Sequence, residues 1–140
     1  MLEKAHIQAV NNQLKKLGKL HSQSMTFGSL SMNGTPDRYY DGAKADLWIE
    51  FKRLTSMPRS GIVRGDFSEL QLEWMRRRAK TGNNVWGVVG LPNRTVVIQT
   101  MPFQWTMGTP IATAVSHQTL ALEIWDYCHG SSYPRQSESS

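Results

Sequence analysis

The run Leu47-Trp48-Ile49-Glu50-Phe51-Lys52 holds an acid and a base at a spacing that can do chemistry. Successive side chains of a β-strand point to opposite faces, so Leu47, Ile49 and Phe51 share one face while Glu50 and Lys52 share the other. A carboxylate and an ammonium on one strand face can be an ordinary ion pair, worth little if exposed. Upstream, Pro36-Asp37 follows a glycine turn, and Asp41-Gly42 is a hairpin signal able to fold Asp37 back beside Glu50. Two convergent carboxylates suit a hard divalent cation such as Mg²⁺, which prefers oxygen ligands and keeps several waters. Such an ion polarises a phosphoryl oxygen and brings up a water, and a neighbouring lysine offsets negative charge in the transition state or helps deprotonate that water. The parts for phosphodiester hydrolysis thus lie within the sixteen residues from Asp37 to Lys52.

These residues need elements to position them. Ala45–Arg53 reads as the strongest strand. Residues 2–17 read as an amphipathic helix with Ile7, Val10, Leu14 and Leu17 on one stripe and Gly18 as its stop. Glu3 lies four positions before Ile7 and so shares the apolar stripe, although a carboxylate at a helix N-terminus also complements the macrodipole. An irregular strand is expected over 24–32 and a mobile loop over Ser56–Gly65. A helix is expected over 69–80, opened by a Ser68/Gln71 capping box and a Phe67/Leu72 staple and closed by Gly82. Val85–Val89 and Thr95–Gln99 read as strands, Met101–Pro110 as a loop carrying Phe103 and Trp105, and Ser116–Cys128 as a last helix. The order implies an α/β chain, a three-layer arrangement with a mixed sheet flanked by helices.

A chain of 140 residues fits one domain, expected over 1–130 with a loose tail over 131–140. No run is apolar enough to span a bilayer, no signal-peptide centre is present, and Cys128 is alone, which together suggest a cytoplasmic protein. The net charge is +5. Lys52, Arg53, Arg59 and Arg64 form an acid-free basic stretch, followed by Arg76-Arg77-Arg78, and both can be solvated surface or phosphate contacts. His6, His21, His117 and His129 show no paired metal-ligand spacing and read as core or surface residues. There is no phosphate loop of the G-x-x-x-x-G-K-[ST] type, so no nucleotide cofactor is expected.

Gly34-Thr35-Pro36-Asp37, then Leu47-Trp48-Ile49-Glu50-Phe51-Lys52-Arg53, then Phe67-Ser68-Glu69-Leu70-Gln71 resembles the PD-(D/E)XK nuclease superfamily. Within it, the chain looks most like the small phage VRR-NUC-type and Holliday-junction-resolvase-like enzymes or free-standing homing endonucleases. That resemblance implies a restriction-endonuclease-like core and a DNA endonuclease using Mg²⁺ or Mn²⁺. It makes Asp37 and Glu50 the metal-binding carboxylates, Lys52 the catalytic lysine, Gln71 a residue projecting into the site, and Glu3 an acid supporting the metal. Gln71 also has its capping role. The segment between Asp37 and Glu50 departs from the family's hydrophobic strand, being polar with Asp41, Lys44 and Asp46, so Asp46 is a lesser rival ligand. Arg53, Arg59, Arg64, Arg76, Arg77 and Arg78 would contact DNA phosphates, and a homodimer or higher homo-oligomer is implied. A non-catalytic DNA-binding module on the same fold and an RNA-directed nuclease are the alternatives.

Overall fold

The computed structural model describes residues 3–24, 26–27, 30–31 and 36–130. Its framework is a five-stranded sheet in the order β1-β4-β5-β7-β8, formed by β1 (His21–Ser24), β4 (Arg38–Asp41), β5 (Asp46–Arg53), β7 (Val85–Gly90) and β8 (Val96–Gln99). Between β1 and β4 in the chain lie the short paired strands β2 (Thr26–Phe27) and β3 (Leu30–Ser31). The β1–β4, β4–β5 and β7–β8 pairs are antiparallel, and β5–β7 is parallel, so the sheet is mixed. β5, the strand carrying Glu50 and Lys52, is in the middle. In place of one irregular strand over 24–32, the described residues hold the end of β1 and the short antiparallel β2–β3 pair, the chain turning back on itself between Phe27 and Leu30. Met25, Gly28, Ser29 and Met32 lie outside the described residues, as do Asn33-Gly34-Thr35 and the tail 131–140.

Period-two patterning builds two cores, one on each sheet face. Leu47, Ile49 and Phe51 are buried with Trp86 and Val88 against α1 (Glu3–Leu17) and α4 (His117–His129), which contribute Val10, Leu14, Leu120, Ile124 and Trp125. On the opposite face Val85, Val89 and Val97 pack with Leu72 and Met75 of α2 (Glu69–Thr81) and Trp105 of α3 (Pro102–Met107). Each such fully buried aliphatic side chain contributes about 1.5–3 kcal/mol, so the alternation in β5 fixes which face Glu50 occupies. The result is three layers, helices on both faces of the sheet.

Two expected loops are partly ordered. Met101–Pro110 contains α3, with Pro102 in its first turn, where the missing N–H costs nothing. The indole of Trp105 is buried there and donates to the Gln99 carbonyl at 2.9 Å, whereas Phe103 is exposed. Ser56–Gly65 contains β6 (Ile62–Val63), paired antiparallel with β9 (Thr109–Pro110), and Val63 is fully buried. The Pro and Gly residues that punctuate both stretches hid these short elements, which tertiary packing stabilises. Among the described residues no helix is long and apolar enough to cross a membrane.

Candidate active site

The hairpin β4–β5 does the first part of the assembly. Gly42 N–H donates to the Ala45 carbonyl across the turn, and Arg38 pairs with Ile49. One step beyond that register, Asp37 comes opposite Glu50. Its Oδ2 accepts from the Phe51 backbone N–H at 3.1 Å, and its carboxyl lies close enough to that of Glu50 for each to shift the other's titration. The spacing of β5 and the turn at Gly42 thus bring together the two carboxylates singled out in the sequence.

α2 closes the site from its own face of the sheet. Ser68 Oγ accepts from Gln71 N–H at 3.2 Å, and Gln71 Oε1 accepts from Ser68 N–H at 2.9 Å, completing the capping box. The remaining end of the same amide, Nε2, donates to Glu50 Oε2 at 2.9 Å. Gln71 therefore fills both roles, tying the start of the helix to the central carboxylate. Glu50 lies beside Gly87 of β7, where the absent side chain leaves room over the strand for Phe67 and Trp105.

Electrostatics follow from this packing. Glu50 is 2% exposed, and burial, then the neighbouring Asp37 carboxyl, raise its pKa, against the opposing effect of Lys52. Asp37 is also raised, chiefly by burial, and the Glu50 carboxyl and the Phe51 N–H pull the other way. Glu3, half-buried on α1, is raised by burial and by Asp37 and lowered by Lys52 and Arg53. Glu3, Asp37, Glu50 and Lys52 thus form one interacting set. Buried Glu50 Oε1 has no protein hydrogen-bond partner, an arrangement that costs free energy unless something positive meets it. Two linked carboxylates with a spare buried oxygen fit a hard divalent cation. Among the described residues, no group of three or more His, Cys, Asp or Glu side chains is arranged to hold a metal, so a cation there would be met by the Asp37 and Glu50 carboxylates without Glu3.

Asp46 is otherwise engaged. Its Oδ1 accepts from Asn84 Nδ2 at 2.6 Å and its Oδ2 from the Tyr39 hydroxyl at 3.2 Å, while Arg78 lies at 3.8 Å. Arg78 also sits over the Trp48 ring, 5.8 Å from its centroid, so its charge is committed within the protein. Arg53, Arg59, Arg64, Arg76 and Arg77 are exposed.

One neighbour has no local signal in the sequence. His6, a turn after Glu3, is buried, and its Nδ1 meets His117 Nε2 at 2.8 Å. Its ring fills the space above Gly90, and burial followed by the His117 charge pushes its pKa down to about 4. The pair clasps α1 to the start of α4 and holds the helix that carries Glu3. Its members are 111 residues apart, beyond the reach of any spacing rule.

The sheet order, the layering helices and the carboxylate-bearing central strand define a mixed-sheet α/β fold of the kind that the resemblance implied. No family model and no curated protein matches the sequence. Among solved structures, the chain is similar to Hjc of Archaeoglobus fulgidus, a Holliday junction resolvase from an archaeal hyperthermophile. The TM-score is 0.55 over 86% of this chain and 98% of that one, at 13% identity. At that identity the likeness is one of fold.

Proposed function

We propose that the chain is a metal-dependent endonuclease that hydrolyses DNA phosphodiester bonds, acting on branched substrates such as junctions or flaps. The observation that carries this reading is the linked Asp37/Glu50 pair with its unpartnered buried oxygen, on the same sheet face as Lys52. The resolvase-like fold supports a branched rather than a linear substrate.

In this reading Asp37 and Glu50 hold Mg²⁺ or Mn²⁺, which when bound supplies Lewis acidity at the phosphoryl oxygen. Gln71 fixes the Glu50 carboxylate through Nε2, and the Phe51 N–H fixes that of Asp37, so neither ligand must reorganise. Lys52 offsets charge on the phosphoryl group and assists loss of the proton from the attacking water. Glu3 adds negative potential from α1. Arg53, Arg59 and Arg64, next along the chain from Lys52, contact the phosphate backbone, and Arg76 and Arg77 extend that surface along α2. One such domain covers too little of a branched duplex for paired incisions, so the enzyme works as a homodimer, in the cytoplasm.

The test is a panel of junction, flap, nicked, single-stranded and linear DNA with matched RNA, each incubated with Mg²⁺ or with EDTA. Mg²⁺-dependent cuts concentrated near the branch support the proposal. A linear duplex cut at one sequence points instead to a site-specific enzyme, and preference for RNA to an RNA-directed one. Tight binding of DNA with no turnover in Mg²⁺ marks a binding module with a vestigial site.

A further inference from the structure

Arg53, Arg59, Arg64, Arg76 and Arg77 lie on β5, the stretch after it and α2. A separate groove opens on the other side of Asp37, between α1 and the β1–β4 edge of the sheet. Its first part has a volume of about 610 Å³ and is lined by Glu3, Lys4, Gln8, Asn11, Asp37 and Arg38, among others. A second part, of about 290 Å³, shares Gln8, Asn11 and Arg38 with the first and continues past Ser22 to Lys15 and Gly18. The two are therefore one trough with the candidate active site at its end.

Helix geometry explains its lining. Lys4, Gln8, Asn11 and Lys15 recur at four, three and four residues, which places them on one stripe of α1 about 16 Å long. That stripe is distinct from the buried His6, Val10 and Leu14. Facing it, Arg38 Nη2 donates to Ser22 Oγ at 3.2 Å, while its buried Nε has no protein partner. The Asn11 carbonyl accepts from the Tyr40 hydroxyl at 3.0 Å, which leaves the amide N–H groups as donors. The acids of the trough, Glu3 and Asp37, are confined to the active-site end. The second part has Lys15 and Arg38 and no carboxylate. Gln8 Nε2 donates to Asn12 Oδ1 at 2.9 Å, so the donors are the cations and the Asn11 amide. Spaced along a trough that starts at a phosphodiester-cleaving site, they match a string of phosphates. The trough is the size of a small-ligand pocket, which admits one strand and not a duplex.

We infer that this trough is a single-strand channel, which holds the unpaired strand of a branched DNA as it leaves the cut position, with Arg38, Lys4 and Lys15 on successive phosphates. The inference rests on the nuclease reading for its substrate and sharpens it, since a channel for one strand beside the site favours flapped or splayed branches over a blunt duplex.

The measurement is fluorescence anisotropy in EDTA, where nothing is cut, comparing a duplex carrying a single-stranded flap with the same duplex blunt. The wild-type chain is expected to bind the flapped DNA about tenfold more tightly. Lys15→Glu should lose much of that advantage and Lys4→Glu/Lys15→Glu nearly all of it, the log-log salt slope falling by about 0.7 for each lysine. Lys16→Glu makes the same charge change on the adjacent exposed residue, which lines another surface, and should keep it. Circular dichroism confirms that each variant is folded. Equal flap and blunt affinities in the wild type, or equal losses in Lys15→Glu and Lys16→Glu, overturn the channel. A flap preference without metal-dependent cleavage would leave the channel standing and remove the nuclease reading. Cleavage with no flap preference would do the reverse.

Discussion

Glu50 occupies an expensive position for a carboxylate, buried in the central strand beside a second acid. Its pKa is pushed up to about 9, first by burial and then by Asp37. A carboxyl whose folded pKa is above its unfolded value contributes stability that is whole below the unfolded pKa and is lost as pH rises through the folded one. In the metal-free protein that loss spans pH 4.5 to about 9. Glu50→Gln removes the titration and keeps the shape, so in EDTA its melting temperature should exceed that of the wild type by a gap that widens with pH by several degrees. Thermal melts at pH 5, 7 and 8.5 check this, and a constant gap would mean that Glu50 is not buried as described. The same-face relation of Glu50 and Lys52 is legible in the sequence because strand alternation is strict. The hydrogen bond from the Phe51 N–H to Asp37 is not, because it depends on the register of a hairpin whose turn residues permit several registers.

At the scale of elements, the start of α2 links stability to the site. Ser68 caps the helix and Gln71 completes the box while donating to Glu50, so loosening the cap should loosen the carboxylate. Ser68→Ala is expected to cost about 1 kcal/mol in urea unfolding and to slow cleavage several-fold by lowering kcat more than it raises KM. An unchanged kcat with the expected loss of stability would confine Gln71 to capping. The helix ends were legible here and at Ser116 because capping is local chemistry. α3 and the β6–β9 pair were not, because they are short and rest on contacts with distant residues such as Val63 and Gln99. His6 and His117 belong to the same class, since only the packing of α1 against α4 brings them together.

For the whole molecule, the charge of +5 is unevenly spread, and the exposed Arg76 and Arg77 on α2 lie on a different surface from the α1 trough. Arg76→Glu/Arg77→Glu should weaken binding to blunt and flapped duplex alike and lower the salt slope by about 1 to 2, a pattern opposite to that of the trough lysines. Titrations between 50 and 200 mM salt separate the two. The mixed sheet and its flanking helices were legible in the order of elements, and their likeness to a Holliday junction resolvase bears out that reading at the level of fold. The chemistry depends on a handful of side chains within it. Whether Asp37, Glu50 and Lys52 cut DNA is decided by cleavage of a branched DNA in Mg²⁺ by the wild-type chain, Glu50→Gln and Lys52→Ala, each verified as folded. The wild type is expected to cleave it in a reaction that EDTA abolishes, and both variants to be slower by about a hundredfold or more. Cleavage at wild-type rates by both purified variants, or undiminished in EDTA, would contradict the nuclease reading.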